Sequence, residues 1–170
     1  NGSMALAINL IDMCAEAGVD IVKFQTFSAQ RLVGQNTPKA DYQIRWDGNG
    51  TQFEMLKRFE LSYENHQTLL QHCIQKGVEF LSSGLDEFDL EMLVKLGIRR
   101  IKIPSGEMNN LPYLRAVASY QMPVLMSTGM ATLQEVEASV EVLLQSGLLS
   151  DNLTLLPVSY THLRAHETDR

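Results

Sequence analysis

The chain has 170 residues, 45% hydrophobic and 20% charged, enough for one ordinary domain with a real core. Its net charge of −6 argues against a nucleic-acid or anionic-membrane surface, which needs a basic face, but leaves room for a phosphorylated small molecule held by a few local lysines. No apolar run long enough to span a membrane and no basic-then-apolar leader is visible, so a cytoplasmic location is expected, and the two cysteines, Cys14 and Cys73, read as small buried hydrophobes because they give neither a disulfide framework nor zinc spacing.

Taken in chain order, one unit recurs: an amphipathic helix, a Gly or polar stop, a short apolar strand, then a polar loop. A helix over 4–17 stops at Gly18 before a strand at 20–24. A helix over 63–76 stops at Gly77 before a strand at 78–82, and a helix over 87–96 stops at Gly97 before a strand at 100–103. A helix over 111–120 leads through Pro123 into a strand at 124–127, and a helix over 133–146 stops at Gly147 before a strand at 153–156. Glycine just past a helix accepts the left-handed conformation that closes the last turn. Thr132 to Glu135 has the form of a capping box, with Leu133, Val136, Val140, Leu143 and Leu144 on one apolar face. The strands are continuously apolar rather than alternating, the pattern of strands covered on both faces in a parallel sheet.

Alternating helices and strands give an α/β protein. No GxGxxG follows a strand, so a dinucleotide-binding open sheet lacks support. Polar residues at the strand ends (Lys23, Gln25, Ser83, Lys102, Ser105 and Ser127) favour a (β/α)8 barrel, whose active site is built at the C-terminal ends of its strands. Five strands are legible where a barrel needs eight, so an incomplete (β/α)8 TIM barrel is expected. The stretch 28–60 breaks the rhythm. It is long, polar and aromatic, with little regular pattern until Phe53, and reads either as a surface excursion or as a lid over the barrel mouth.

Lys23 and Lys102 each sit inside an apolar strand near its loop end, where a lysine either snorkels to solvent or holds an anion. Two such lysines converging would suit a phosphate or carboxylate. Ser105, Gly106 and Glu107 follow Lys102 directly; hydroxyl and backbone N–H groups there could hold an anion, and Glu107 could accept from a sugar or act as an acid or base. Ser127 opens a similar turn after the next strand. No nucleophile–base pair is apparent. His66 and His72 read as core histidines of a helix, while His162 and His166 have the spacing of two ligands on one helix face.

Val22 to Phe27, Phe80 to Ser83, Lys102 to Asn110 and Leu125 to Thr132, in this order, resemble successive signatures of the sialic acid synthases. Lys39 to Gln43 and Leu56 to Ser62 are similar to that family's variable loop, and the opening residues to the tail of its Asn-His-Asn-Gly motif. The resemblance covers residues 1–156. It implies a barrel with a small C-terminal antifreeze-like domain in a swapped homodimer. It also implies condensation of phosphoenolpyruvate with N-acetylmannosamine or a related acylated amino sugar, releasing phosphate. A divalent Mn or Mg would polarise the sugar aldehyde. By position, Lys23, Lys102, Ser105 and Ser127 would hold phosphoenolpyruvate, as would Ser83, which keeps a hydroxyl where the family has Thr before Pro. Gln25 and Glu107 would face the sugar. The family's acidic first strand and its two metal-binding histidines do not match any stretch of this sequence, so no turnover is expected from this polypeptide alone. Residues 157–170 resemble a string found at the ends of unrelated translated assemblies and are expected to be foreign, His162 and His166 with them. Another phosphoenolpyruvate-dependent aldol-type synthase, or a non-catalytic phosphate- or sugar-binding module, are the competing readings.

Overall fold

Short polar side chains set where most of the helices begin. In the computed structural model, which describes residues 2–129 and 131–157, the side chains of Ser3, Thr51, Ser62, Asp86, Asn110 and Thr132 each accept a backbone N–H from the first turn that follows. Gly77 and Gly97, in the left-handed region at φ 72° and 97°, end two of those helices. The chain divides into two units, Asn1–Ile98 and Arg99–Arg170.

The first unit runs α1 (Met4–Glu16), β1 (Ile21–Thr26), α2 (Ala29–Leu32), α3 (Asp41–Asp47), α4 (Gln52–Lys57), α5 (Tyr63–Lys76), β2 (Glu79–Gly84) and α6 (Glu87–Leu96). β1 and β2 pair in parallel, Lys23 opposite Leu81 and Gln25 opposite Ser83. Helix α1 packs on α5, and α5 and α6 pack on β2. Ile11, Leu69, Cys73, Phe80, Leu90 and Leu93 form its buried core. Burial pushes the Cys73 thiol up to about 11, as expected of an inert core cysteine, whereas Cys14 is only half-buried.

The second unit runs β3 (Ile101–Ile103), α7 (Leu111–Ser119), β4 (Val124–Ser127), α8 (Leu133–Gln145) and β5 (Leu153–Leu156). Its strands lie in the order β3-β4-β5, all parallel. Ile101, Ile103, Val124 and Met126 are fully or almost fully buried beside Leu114, Val117 and Leu143. Both units are thus α/β with parallel strands, as the alternation of elements predicts.

Three expectations are corrected. Residues 28–60 are not irregular but carry α2, α3 and α4. Thr51 and Glu54 cap α4 reciprocally, and Asp47 at the end of α3 takes ion pairs from Lys39 (2.6 Å) and Arg58. The ion pairs join residues distant in the stretch and leave no local periodicity, whereas the Thr51-Gln52-Phe53-Glu54 capping box is a local pattern that the sequence carries. Second, coverage on both faces does not hold for every strand. In β1 burial alternates, with Lys23 and Gln25 exposed between Val22 and Thr26, and the middle residues of β5 are exposed. Each of these strands has a single neighbour among the described residues. Third, the apolar stripe of α8 is not buried as one face. Ser139 and Leu143 point into the unit, while Leu133 and Leu144 are 72% and 40% exposed and border an open apolar groove with Leu155. The expected foreign tail, with His162 and His166, lies apart from Pro157 outside the described residues.

Candidate active site

The second unit places a charge inside its sheet. Lys102, the middle residue of β3, is 6% exposed, and its Nζ donates to the Ile103 carbonyl at 2.7 Å and to Ser127 Oγ at 2.6 Å. Leu125 is the strand partner of Lys102, so Lys102, Leu125 and Ser127 share one face of the sheet. The long side chain therefore runs along the strand and delivers its ammonium to the C-terminal end, where Ser127 is the last residue of β4. A cation set in low dielectric attracts an anion far more strongly than it would in water.

Immediately beyond β3 the chain folds into a short 3-10 turn, Ser105–Glu107, with Ser105 and Glu107 half-buried. The Glu107 carboxylate accepts from Asn110 Nδ2 at 2.8 Å. Helix α8 braces this turn from the side. Ser139 Oγ, itself buried, lies 2.9 Å from the Met108 carbonyl and 2.6 Å from the Glu135 carbonyl and shares its one proton between them, and Asn109 Nδ2 donates to Glu135 at 3.3 Å. Glu135 also closes the capping box with Thr132, and the backbone and side-chain donors of Thr132 hold its carboxyl below the usual range. Lys102, Ser127, Ser105 and Glu107 therefore stand at one end of one sheet, as their positions after strands predict.

In the first unit, the register puts Lys23, Gln25, Leu81 and Ser83 on one face of the β1–β2 pair. Ser83 is 1% exposed, while Lys23 and Gln25 are exposed, so Lys23 is not the buried strand lysine that its apolar neighbours imply. Gly84, after Ser83, is packed tightly: a Cβ there would meet the backbone N of Leu90 at 2.9 Å. The opposite face carries polar residues that sequence reasoning passed over. Thr26 Oγ1 lies 2.7 Å from both His66 Nε2 and Ser82 Oγ, and His66 Nδ1 lies 2.8 Å from the Ser62 carbonyl. Burial holds the His66 imidazole below its usual value, so it is neutral. His72 has a different place, bonded at 2.8 Å to Asp12, which also pairs with Lys76.

Beyond the strand ends, Arg31 of α2 reaches Asp86 and Asp89 at the start of α6 and lies 5.4 Å from the centre of the Phe88 ring. Asp89 Oδ2 is buried without a hydrogen-bond partner, and burial followed by the neighbouring Asp86 pushes the Asp89 carboxyl up to about 7. Among the described residues no three His, Cys, Asp or Glu side chains gather as metal ligands. These residues do not fit the divalent metal that the resemblance implies. Nor is any described helix long and apolar enough to cross a membrane.

Comparison with known proteins gives a consistent set of relatives. The profile of the NeuB family matches residues 10–161. The chain is 43% identical to an N,N'-diacetyllegionaminic acid synthase of Legionella pneumophila over 99% of its own length and 50% of that protein. It is 33% identical to an N-acetylneuraminate-9-phosphate synthase of Drosophila melanogaster over 86% of its length and 39% of that protein. Among solved structures, the N-acetylneuraminic acid synthetase of Leptospira borgpetersenii, in complex with citrate, superposes with a TM-score of 0.76 at 23% identity, covering 91% of this chain and 48% of that one. A truncated 3-deoxy-D-arabino-heptulosonate 7-phosphate synthase of Thermotoga maritima superposes with a TM-score of 0.63 at 18% identity, covering 90% and 45%. The chain spans about half the length of the legionaminic acid synthases it matches.

Proposed function

Because the chain belongs to the NeuB family, we propose that it is part of a nonulosonic acid synthase, in which phosphoenolpyruvate condenses with an acylated amino sugar. The methylene carbon of phosphoenolpyruvate forms a bond to the aldehyde carbon of the open-chain sugar, water is taken up, and phosphate leaves. Such a reaction asks the protein to hold a small, highly charged donor and to orient an electrophile; it asks for no protein nucleophile.

The observation that carries this reading is Lys102, a lysine buried in a strand and aimed at the strand's C-terminal end beside Ser127. A lysine amine held beside a hydroxyl at the C-terminal end of a strand is placed to receive an anion, and a doubly charged phosphate or a carboxylate is a ligand suited to it. Ser127 and Ser105 supply hydroxyls at the same end of the sheet, and Lys23 and Ser83 are assigned to the same donor in the whole enzyme. Gln25 and Glu107 are assigned to the sugar. The whole enzyme is read as a completed eight-stranded barrel, a homodimer in the cytoplasm, using Mn or Mg held by ligands other than the described residues. Residues 157–170 are read as foreign.

The test is phosphate release by the full-length enzyme with phosphoenolpyruvate and N-acetylmannosamine or N,N'-diacetylated sugars, each omitted in turn. Release that depends on both substrates supports the synthase. Release with a different aldehyde partner only would assign another aldol-type synthase. Binding of phosphate without turnover by the full-length protein would leave a binding module. The 170-residue chain is expected to release none.

A further inference from the structure

The polar chain on the helix side of β1 and β2 lies back to back with the residues assigned to substrate. Thr26 follows Gln25 in β1, and Ser82 precedes Ser83 in β2, so each strand sends one polar side chain to either face. On the helix side Thr26, Ser82 and His66 are 4%, 1% and 0% exposed. Their partners dictate the proton positions. A carbonyl only accepts, so His66 Nδ1–H donates to Ser62 O, which leaves a lone pair on Nε2. Thr26 O–H then donates to Nε2, and Ser82 O–H donates to Thr26 Oγ1. The chain has one self-consistent direction, running from β2 through β1 to the first turn of α5, where Ser62 is also the N-cap. The Phe80 ring stands edge-on to the imidazole at 6.3 Å and stacks on Phe24, closing the side of the network.

We propose that His66 is a positioning residue for the β1–β2 half of the active site: the Ser82–Thr26–His66–Ser62 chain fixes the C-terminal ends of both strands from the helix side, so that Gln25 and Ser83 hold their places on the other. This rests on the assignment of Gln25 and Ser83 to substrate made above. Three buried polar groups stand where apolar ones would pack without any pairing requirement. A fully satisfied network of this kind selects one geometry, and its loss leaves buried hydroxyls without partners. Parallel pairing makes the effect local. Thr26, opposite Gly84, and Ser82, opposite Phe24, are tied to each other diagonally across the step of the ladder where Gln25 meets Ser83.

The discriminating variants in the full-length enzyme are His66→Gln, His66→Asn and Thr26→Val. The Gln amide reaches the position of Nε2 and keeps the contact to Thr26, whereas the Asn amide reaches only the position of Nδ1. The readouts are KM against kcat for each substrate, and amide hydrogen exchange over 22–26 and 80–84, which needs no substrate. His66→Asn and Thr26→Val are expected to raise KM roughly tenfold, the scale of a sub-ångström misplacement, and to speed exchange in both segments, with His66→Gln close to the wild type. Unchanged KM and exchange in Thr26→Val, or equal behaviour of the Gln and Asn variants, would overturn the proposal. Should His66→Asn fail to fold, Thr26→Val decides alone. If the wild-type enzyme turns over neither substrate, the functional reading falls, and the exchange data by themselves decide whether the network positions the strand ends.

Discussion

The Lys102 ammonium meets the Ser127 hydroxyl at 2.6 Å across two parallel strands, displaced toward the strand ends from Leu125, the direct partner of Lys102. Lys102→Met retains the apolar stem and removes the buried charge. The exchange relieves the desolvation of the charge but leaves the Ile103 carbonyl and the Ser127 hydroxyl without this donor, so the thermal midpoint of the variant is expected to change little. Phosphoenolpyruvate binding, followed by calorimetry on the full-length enzyme, is expected to weaken roughly 30-fold or more, from the loss of about 2 kcal/mol for a charge-assisted contact. A large drop in midpoint with binding intact would make Lys102 a structural residue.

Lys39 governs the excursion after β1. Its side chain is 1% exposed and donates to the carbonyls of Gly48 and Asn49 at 3.0 and 3.2 Å while pairing with Asp47. The Lys39 and Arg58 contacts together hold the Asp47 carboxyl below the usual range. Lys39→Ala strips the end of α3 of its donor and is expected to cost about 2 kcal/mol, the usual contribution of hydrogen bonds made by a charged group. The loss is local, so trypsin should cut after Arg45 faster in the variant, with the far-ultraviolet spectrum little changed. Equal cleavage rates would count against this role.

Two buried groups push stability with pH in opposite senses. His66 has its value lowered from 6.5 by burial, so its contribution is complete above 6.5 and is lost as the pH falls below it. Asp89 is raised from 3.8 to about 7, so its contribution is complete below 3.8 and is lost as the pH rises through about 7. Asp89→Asn removes the second slope and leaves Arg31 its bond to Asp86. Urea denaturation at pH 5 and pH 8 should find the variant gaining on the wild type at the higher pH. A difference independent of pH would show that Asp89 does not titrate in this range.

Gly84 is required by space rather than by backbone angle. An added Cβ would stand 2.9 Å from Leu90 N and 3.1 Å from Asp89 C, both backbone atoms of α6 that cannot turn aside. Gly84→Ala is therefore expected to destabilise by about 2 kcal/mol, the usual cost of overpacking, measured by denaturant midpoint at constant slope. Gly18→Ala offers a contrast, since nothing lies within 4 Å of a Cβ there and only its φ of 75° opposes the change.

Much of this architecture could be read from residue order. Tyr63–Lys76, Glu87–Leu96, Val124–Ser127 and Leu153–Leu156 are found where the periodicity and the Gly stops place them. Lys102 and Ser127 were legible because a cation and a hydroxyl at strand ends contradict the apolar run around them. The excursion was not, because Lys39, Asp47 and Arg58 act through ion pairs that leave no periodic trace. His66 was read as a core histidine, and it is one. Its partners Thr26 and Ser82 become visible only when the register aligns β1 with β2, since a hydroxyl on the helix side of a strand looks in sequence like one on the other. The exposed flank of α8 could not be read for a related reason: an apolar stripe tells how wide a face is, and not which part of it a neighbour covers.

Asp47 takes Lys39 from before α3 and Arg58 from after α4, and Pro38 bridges to Thr51 between them. The excursion is consequently gathered at its base, and the chain entropy of the intervening residues is already restricted there whatever their identity. Residues 41–46, with Tyr42 and Trp46 turned to solvent, thus stand on a footing fixed by Lys39, Asp47 and Arg58, so a change at either exposed ring is borne by the solvent side alone.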